Sequence, residues 1–260
     1  MPDDVQVGLD ASRPSIARIY DYWLGGKDNF AADRAEAGRV LALYPPLVRM
    51  VRENRLFLSR SVSWLASEGI RQFLDIGSGL PTSQNTHEVA QAAGPGSRVA
   101  YVDSDPVVLS HGNALLRGNG VAITAGDLRE PKEIIESAAV RELIRPDEPT
   151  AVVLALVMHF LDPGTARRVT RQLADWLAPG SYLVICTGSA DEEDVAAQMR
   201  REYTASSTWN HSRDVIRSFF DGTELVPPGL TDARDWAPGA PARPLAPKTV
   251  RALAGVGRKP

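Results

Sequence analysis

Three aspartates carry the clearest chemical signal in the chain. Asp75, Asp103 and Asp127 stand at or just past the ends of apolar runs, Phe73-Leu-Asp-Ile, Val99-Ala-Tyr-Val-Asp and Val121-Ala-Ile-Thr-Ala-Gly-Asp, and the first run passes directly into Gly77-Ser78-Gly79. A strand that stops at Gly77 and turns through Gly79 exposes backbone N–H groups with no Cβ in the way, so a ligand can lie against the main chain. Asp103, a carboxylate after the second strand and about 20 residues beyond a glycine turn, is placed to accept hydrogen bonds from two ribose hydroxyls. Asp127, after a third strand, is placed to accept from an exocyclic amine of a base. A nucleoside is what the three features have in common.

The turn departs from a dinucleotide fingerprint. G-x-G-x-x-G needs a third glycine for tight helix packing and a helix N-terminus facing pyrophosphate. Here that position is Thr82, preceded by Pro81. Asp75 adds a negative charge beside the turn, which repels a diphosphate and suits a cation such as a sulfonium with an amino-acid tail. The four histidines, His87, His111, His159 and His211, show no metal-ligand spacing. His159 follows the fourth apolar run, where a general base could face an acceptor, against the plainer reading of a hydrogen-bonded structural histidine. Cys186 sits in an apolar run and reads as a small buried hydrophobe.

The elements that must position these residues follow from periodicity. From Ile70 onward, apolar runs at 71–76, 98–103, 121–125, 151–157 and 181–187 alternate with helical stretches opened by Asp105-Pro106, Glu130-Pro131 and Asp162-Pro163, an acid before a first-turn proline. Ser189 and Glu192 fit a capping box for a helix over 190–204. A further helix is expected near 212–220, a strand at 223–226, a long proline-rich loop at 227–247 around Trp236, and a last strand at 249–258. These seven strands predict an α/β fold: a doubly wound, mostly parallel sheet with right-handed crossovers and an antiparallel edge.

The first seventy residues read differently. After a loose tail at 1–13, Ile16, Ile19, Tyr20 and Trp23 recur at helical spacing up to Gly25-Gly26, and further helices cover 31–43 and 46–68. The expected division is an N-terminal helical cap or lid, 1–69, and a ligand-binding domain, 70–260. The segment Trp23-Leu-Gly-Gly-Lys-Asp-Asn is a helix end and turn that can fold over a ligand, with Tyr22, Gly26, Lys27 and Asn29 as the contacts and Tyr20, Tyr22 and Trp23 shaping an acceptor site.

Composition sets outer bounds. A 43% apolar content supports a sizeable core, and no run of about 18 apolar residues predicts a membrane span. A net charge of −3 disfavours a broad nucleic-acid face. One cysteine precludes an internal disulfide, and the acidic start Met-Pro-Asp-Asp-Val lacks the basic and apolar regions of a secretory signal, so a cytoplasmic protein is expected.

With these residues in place, the Asp75-Ile-Gly-Ser-Gly, Val102-Asp-Ser-Asp-Pro and Gly126-Asp-Leu series resembles class I S-adenosylmethionine-dependent methyltransferases. More closely, Arg18-Ile-Tyr-Asp-Tyr-Trp-Leu-Gly-Gly-Lys-Asp-Asn-Phe30, Glu53-Asn-Arg55, Phe73-Leu-Asp-Ile-Gly-Ser-Gly-Leu-Pro81 and the ending Gly255-Val-Gly-Arg-Lys-Pro260 resemble the actinobacterial DUF574 group, the "S-adenosyl methyltransferase" family, over nearly the whole chain. The resemblance implies a Rossmann-like class I methyltransferase fold and S-adenosylmethionine as cofactor. It implies that Asp75, Gly77, Ser78 and Gly79 contact the methionine part, that Asp103 is the ribose acid with Ser104 beside the adenine, and that Asp127 and Leu128 bind the adenine. Ala155, Leu156 and Val157 would pass under the methionine part. Leu80-Pro81, where many relatives carry a third glycine or a small residue, is a departure. The functional expectation is methyl transfer to a small-molecule acceptor. Its rivals are a non-catalytic S-adenosylmethionine-binding sensor or interaction module, and a nicotinamide-dependent oxidoreductase.

Overall fold

The structure, a computed structural model, describes residues 10–116, 118–245 and 250–260. In chain order the elements are α1 (Ile16–Leu24), α2 (Ala31–Leu43), α3 (Leu47–Ser67), β1 (Gln72–Ile76), α4 (Thr86–Ala93), β2 (Arg98–Asp103), α5 (Pro106–Leu115), β3 (Val121–Ala125), α6 (Pro131–Glu136), α7 (Ala138–Leu143), β4 (Ala151–Ala155), α8 (Pro163–Trp176), β5 (Tyr182–Ala190), α9 (Glu193–Glu202), α10 (Arg213–Ser218), β6 (Glu224–Leu225), β7 (Thr231–Asp232) and β8 (Val250–Arg258). Most of the expected tail, 1–9, the first residue of the expected last strand and the end of the proline-rich loop, 246–249, lie outside the described residues.

One sheet joins the strands in the order β3-β2-β1-β4-β5-β8-β6, with β7 also pairing β8. The pairs among β1 to β5 are parallel, and β8 runs antiparallel to β5, β6 and β7. The order reverses between β1 and β4, so a crevice opens there beyond the strands' carboxyl ends. Eight strands are described rather than the expected seven. The eighth, β7, is two residues inside the stretch read as loop, too short to leave a periodic signal.

Alternate residues of each strand face opposite layers. Phe73, Tyr101, Val153 and Val184 pack with α3 through Phe57, Leu58, Val62 and Leu65. Leu74, Ile76, Leu154 and Ile185 face the other way, toward Val169 and Leu173 of α8 and Ile216 of α10. So α3 is itself a layer of the sheet sandwich and shares its core with the strands. Trp236, fully buried, packs edge-on to Phe57 at 5.2 Å, and Arg60 of α3 donates to the carbonyls of Ala233 and Trp236 at 2.6 and 3.0 Å.

Several boundaries differ from the sequence expectation, two of them beside the strand ends that matter for a site. The fourth strand ends at Ala155 instead of 157, because Leu156 turns to φ 55°. The helix expected from 190 begins at Glu193, with no side-chain cap, because β5 stays paired with β8 as far as Ala190↔Val250. Ser189, expected to cap that helix, donates instead to the carbonyl of His211 at 3.3 Å. Among the described residues, no helix is long and apolar enough to cross a membrane.

Candidate functional site

A cavity of about 600 Å³ opens where the strand order reverses, within the range common for small-molecule sites. Its floor follows the sheet. Asp103 to Pro106 and Gly126 to Arg129 come from the ends of β2 and β3, Asp75 to Gly79 from β1, Ala155 to Val157 and His159 to Leu161 from the end of β4 and the turn after it, and Gly188 to Ala190 from β5. From β3 to β5 is four strand spacings, roughly 19 Å.

The β1 turn is pinned to its neighbour by Gly77 and Ser78, whose N–H groups donate to the Val102 carbonyl at 2.7 and 3.3 Å. Gly77 has φ 72°, and a Cβ there would meet Val157 Cγ1 at 2.4 Å, so both the backbone and the β4 end exclude a side chain. Gly79 has φ 68°, and a Cβ there would meet nothing within 4 Å: this is a bare face of main chain turned to open space. Its N–H donates to Asp103 Oδ2 at 2.8 Å, while Asp103 Oδ1 accepts from Asp105 N–H at 2.9 Å. Burial pushes the Asp103 carboxyl up, against those same N–H donors. Ser78 Oγ is buried without a hydrogen-bond partner.

Asp75 is buried and accepts from the Thr86 hydroxyl at 2.6 Å. Burial raises its pKa to about 6, opposed by Thr86 and by the Arg55 guanidinium, and aided by Asp103. Asp127 and Leu128 also line the cavity. Asp127, however, is clasped by Arg129, which pairs with it at 2.8 Å. Burial pushes Asp127 up, but the Arg129 hydrogen bonds and charge together hold it below the usual carboxylate range. Ser104 is exposed at the cavity wall, and Ala155, Leu156 and Val157 pass along its floor. Leu156 is held in its left-handed conformation by an N–H bond to the Cys186 carbonyl at 2.7 Å. A non-glycine residue there is uncommon and costs free energy.

The expected contacts Tyr22, Gly26, Lys27 and Asn29 do not line this cavity. The reason lies in Asp21. Its carboxylate accepts from Asp28 N–H at 3.0 Å and Asn29 Nδ2 at 2.8 Å, and a Cβ on Gly26 would fall 1.9 Å from Asp21 Oδ1. The Gly-Gly turn therefore closes on its own helix. Asp33 does the same for the start of α1, accepting from Ser15 N–H, Arg18 Nε and Phe30 N–H at 2.8–2.9 Å. The distinctive 18–30 block is a scaffold that seats α1. What α1 and the two residues before it offer to the cavity is Pro14, Ser15, Ile16, Ala17, Tyr20 and Trp23. Ser15 Oγ ties the helix to Asp105 at 2.6 Å, and Tyr20 accepts from Asn54 Nδ2 at 2.9 Å.

His159 is half-buried at the cavity wall, with Nδ1 buried and without a partner. Burial, and then neighbouring His211, push it down to about 4, so it is neutral across the physiological range. His211 is buried, its Nε2 3.1 Å from the Met158 carbonyl oxygen, and His87 is bonded to the Tyr101 hydroxyl. Cys186 is fully buried, and burial pushes its thiol up.

Several lining residues escaped the sequence reading. Asn54 and Arg55 fall in the Glu53-Asn-Arg55 run, whose helical spacing hides any chemistry; Arg55 donates to the Ser83 and Gln84 carbonyls at 3.3 and 3.0 Å. Phe160, Met199, Tyr203 and Trp209 complete the wall beyond β4 and β5. Tyr203 and Trp209 flank an irregular Ser/Thr-rich segment, where no periodicity points to a site. Glu36 of α2, equally silent in sequence, fixes that segment: its carboxylate accepts from Thr204 N–H, the Thr204 hydroxyl and Ala205 N–H at 2.6, 2.6 and 2.9 Å.

Residues 3–260 match the family model described as S-adenosyl methyltransferase. Among solved structures, the chain is similar to a protein of Thermobifida fusca YX provisionally assigned as a methyltransferase, with 43% identity, 97% of each chain covered and a TM-score of 0.87. It is similar to a DUF574 family protein of Streptomyces avermitilis MA-4680, with 36% identity, 96% of this chain and 99% of that one covered, and a TM-score of 0.87. The N-methyltransferase NodS of Bradyrhizobium japonicum WM9 shares the fold at 20% identity and a TM-score of 0.50, over 82% of this chain and 97% of that one. A search of curated proteins gives no match.

Proposed function

The chain belongs to the S-adenosyl methyltransferase family and has the Rossmann-like fold of class I methyltransferases, and from that premise we propose that it transfers a methyl group from S-adenosylmethionine to a small-molecule acceptor. The observation that carries this reading is the bare main-chain face at Gly79, anchored from below by Asp103 and flanked by the buried Asp75. The donor set suits the cofactor: a nucleoside with a cationic tail meets carboxylates and a glycine turn, with no phosphate cradle.

In this reading Asp103 takes the ribose hydroxyls with the lone pairs that its two backbone donors leave free. Ser104 and Leu128 flank the adenine, and Asp127 accepts from it after parting from Arg129. Asp75, Gly77, Ser78 and Gly79 hold the methionine part, whose ammonium is matched to Asp75, and Ala155 and Leu156 run beneath it. Bound there, S-adenosylmethionine supplies an electrophilic methyl group on a sulfonium. The protein's contribution is alignment and exclusion of water, by α1 above and the 203–209 segment at the side; alignment alone supplies a large share of such accelerations. His159, neutral and weakly basic, accepts a hydrogen bond from the acceptor and so orients it. The single buried cysteine fits a cytosolic protein.

Calorimetry with the demethylated product, S-adenosylhomocysteine, tests the reading. Binding in the micromolar range is expected, weakened at least tenfold in Asp103→Asn. A folded sample that does not bind refutes it. Binding without methyl transfer to any of a broad acceptor panel supports the sensor reading instead.

A further inference from the structure

The end of the cavity over β4 and β5 differs in chemistry from the end over β1 to β3. The carboxylates that line the cavity, Asp75, Asp103, Asp105 and Asp127, all stand at or just past the ends of β1, β2 or β3, and Arg55 leans on the loop after β1. Beyond β4 the described lining holds one charged side chain, Arg200, and Glu193 already pairs with it. An ammonium placed there finds no carboxylate lining the wall, and a phosphate or carboxylate finds one guanidinium, shared with Glu193.

In place of charge this end carries a row of rings. Trp23 and Tyr203 lie 6.3 Å apart between centroids at 33°, Tyr203 and Phe160 6.2 Å apart at 27°, and Phe160 and His159 4.2 Å apart at 42°. All four line the cavity. Cages that hold a quaternary ammonium use the negative faces of rings converging on one point. These rings instead tilt only shallowly from one to the next, and together they give this end of the cavity a run of aromatic surface suited to a planar ring. The row ends at His159, whose imidazole, held neutral by burial, stands at the cavity wall where its ring can meet a polar group.

On the reading that the strand-tip end seats S-adenosylmethionine, we infer that the acceptor is an uncharged, planar aromatic molecule bearing a hydroxyl or amino group. It lies along Trp23, Tyr203 and Phe160 with that group toward His159. Trp23 and Tyr203 thereby become specificity residues for the ring, separate from those that hold the nucleoside.

The test uses the full chain saturated with S-adenosylhomocysteine, whose own binding is measured first. Failure at that step removes the underlying reading, and this proposal with it. Calorimetry and tryptophan fluorescence then compare 2-naphthol, its saturated counterpart decahydro-2-naphthol, 2-naphthoate and choline. The expected result is 2-naphthol bound at least tenfold more tightly than each of the others. Tyr203→Leu should weaken 2-naphthol at least tenfold and leave S-adenosylhomocysteine unchanged. Trp23→Leu, on a part-exposed helix face, gives the same reading should the Tyr203 variant misfold. The proposal is overturned if the nucleoside binds but 2-naphthol does not, if the saturated alcohol binds equally well, if choline or the carboxylate binds more tightly, or if both leucine variants keep full 2-naphthol affinity.

Discussion

Asp75 couples the cavity to pH. Its pKa rises from 3.8 unfolded to about 6 folded, chiefly through burial. Between those values the folded chain binds a proton that the unfolded chain lacks. This group's contribution to stability therefore falls as pH rises through that window, and its buried charge is a standing cost at neutrality. A ligand ammonium recovers that cost only when the carboxylate is ionised. Affinity for S-adenosylhomocysteine should then drop about tenfold from pH 7 to pH 5, and Asp75→Asn should bind weakly with a flat profile across the window. Calorimetry over that range checks both; an unchanged affinity in the wild-type chain would remove Asp75 from the ammonium. At this scale the sequence made the positions of the acids legible, because an acid after an apolar run marks a strand tip. It did not show how their charges are spent. Arg129 closes on Asp127 and Asp21 gathers in Asn29 through short-range side-chain geometry that spacing does not encode.

The elements were legible wherever burial imposes a period. The parallel strands and α3 carry continuous or helical apolar patterns, and their bounds agree closely with expectation. The pattern fails where long-range pairing decides the conformation, as at the β5 end, where the ladder to β8 overrides a local capping signal. Helix α2 shows another limit. Two of its inward-facing residues are acids, Asp33 and Glu36, both buried, so its apolar stripe is broken even though it is fully part of the fold. Glu36 receives three hydrogen bonds from Thr204 and Ala205. Glu36→Ala should lower stability by roughly 1–3 kcal/mol. Hydrogen exchange at the Thr204 and Ala205 amides should quicken by a larger factor than in β1 or β4, and loss of 2-naphthol affinity should accompany it. Uniform exchange across the chain would mean that Glu36 does not hold this wall.

For the molecule as a whole, the chemistry is spread along a single sheet edge while its covers come from both ends of the chain. The face of the sheet that carries Asp75 is closed by α3, with Val51, Phe57, Leu58, Val62 and Leu65 fully or almost fully buried. Burying each such side chain is worth about 1.5–3 kcal/mol, so together they rival the entire stability of an ordinary domain, about 5–15 kcal/mol. A chain beginning at residue 70 is therefore expected to lack a cooperative thermal transition and to aggregate, as circular dichroism and sedimentation would show. A sharp transition would instead make the helical segment a separate unit.

The two carboxylates of α2 give the protein a single mechanical grip on its chamber. Asp33 holds the foot of one flap and Glu36, one turn later, the hem of the other. The helix that seats the start of α1 is thus the one that seats the 204–205 segment. Strain placed on either wall is expected to reach the other through these thirteen residues, which line the chamber only through Val40.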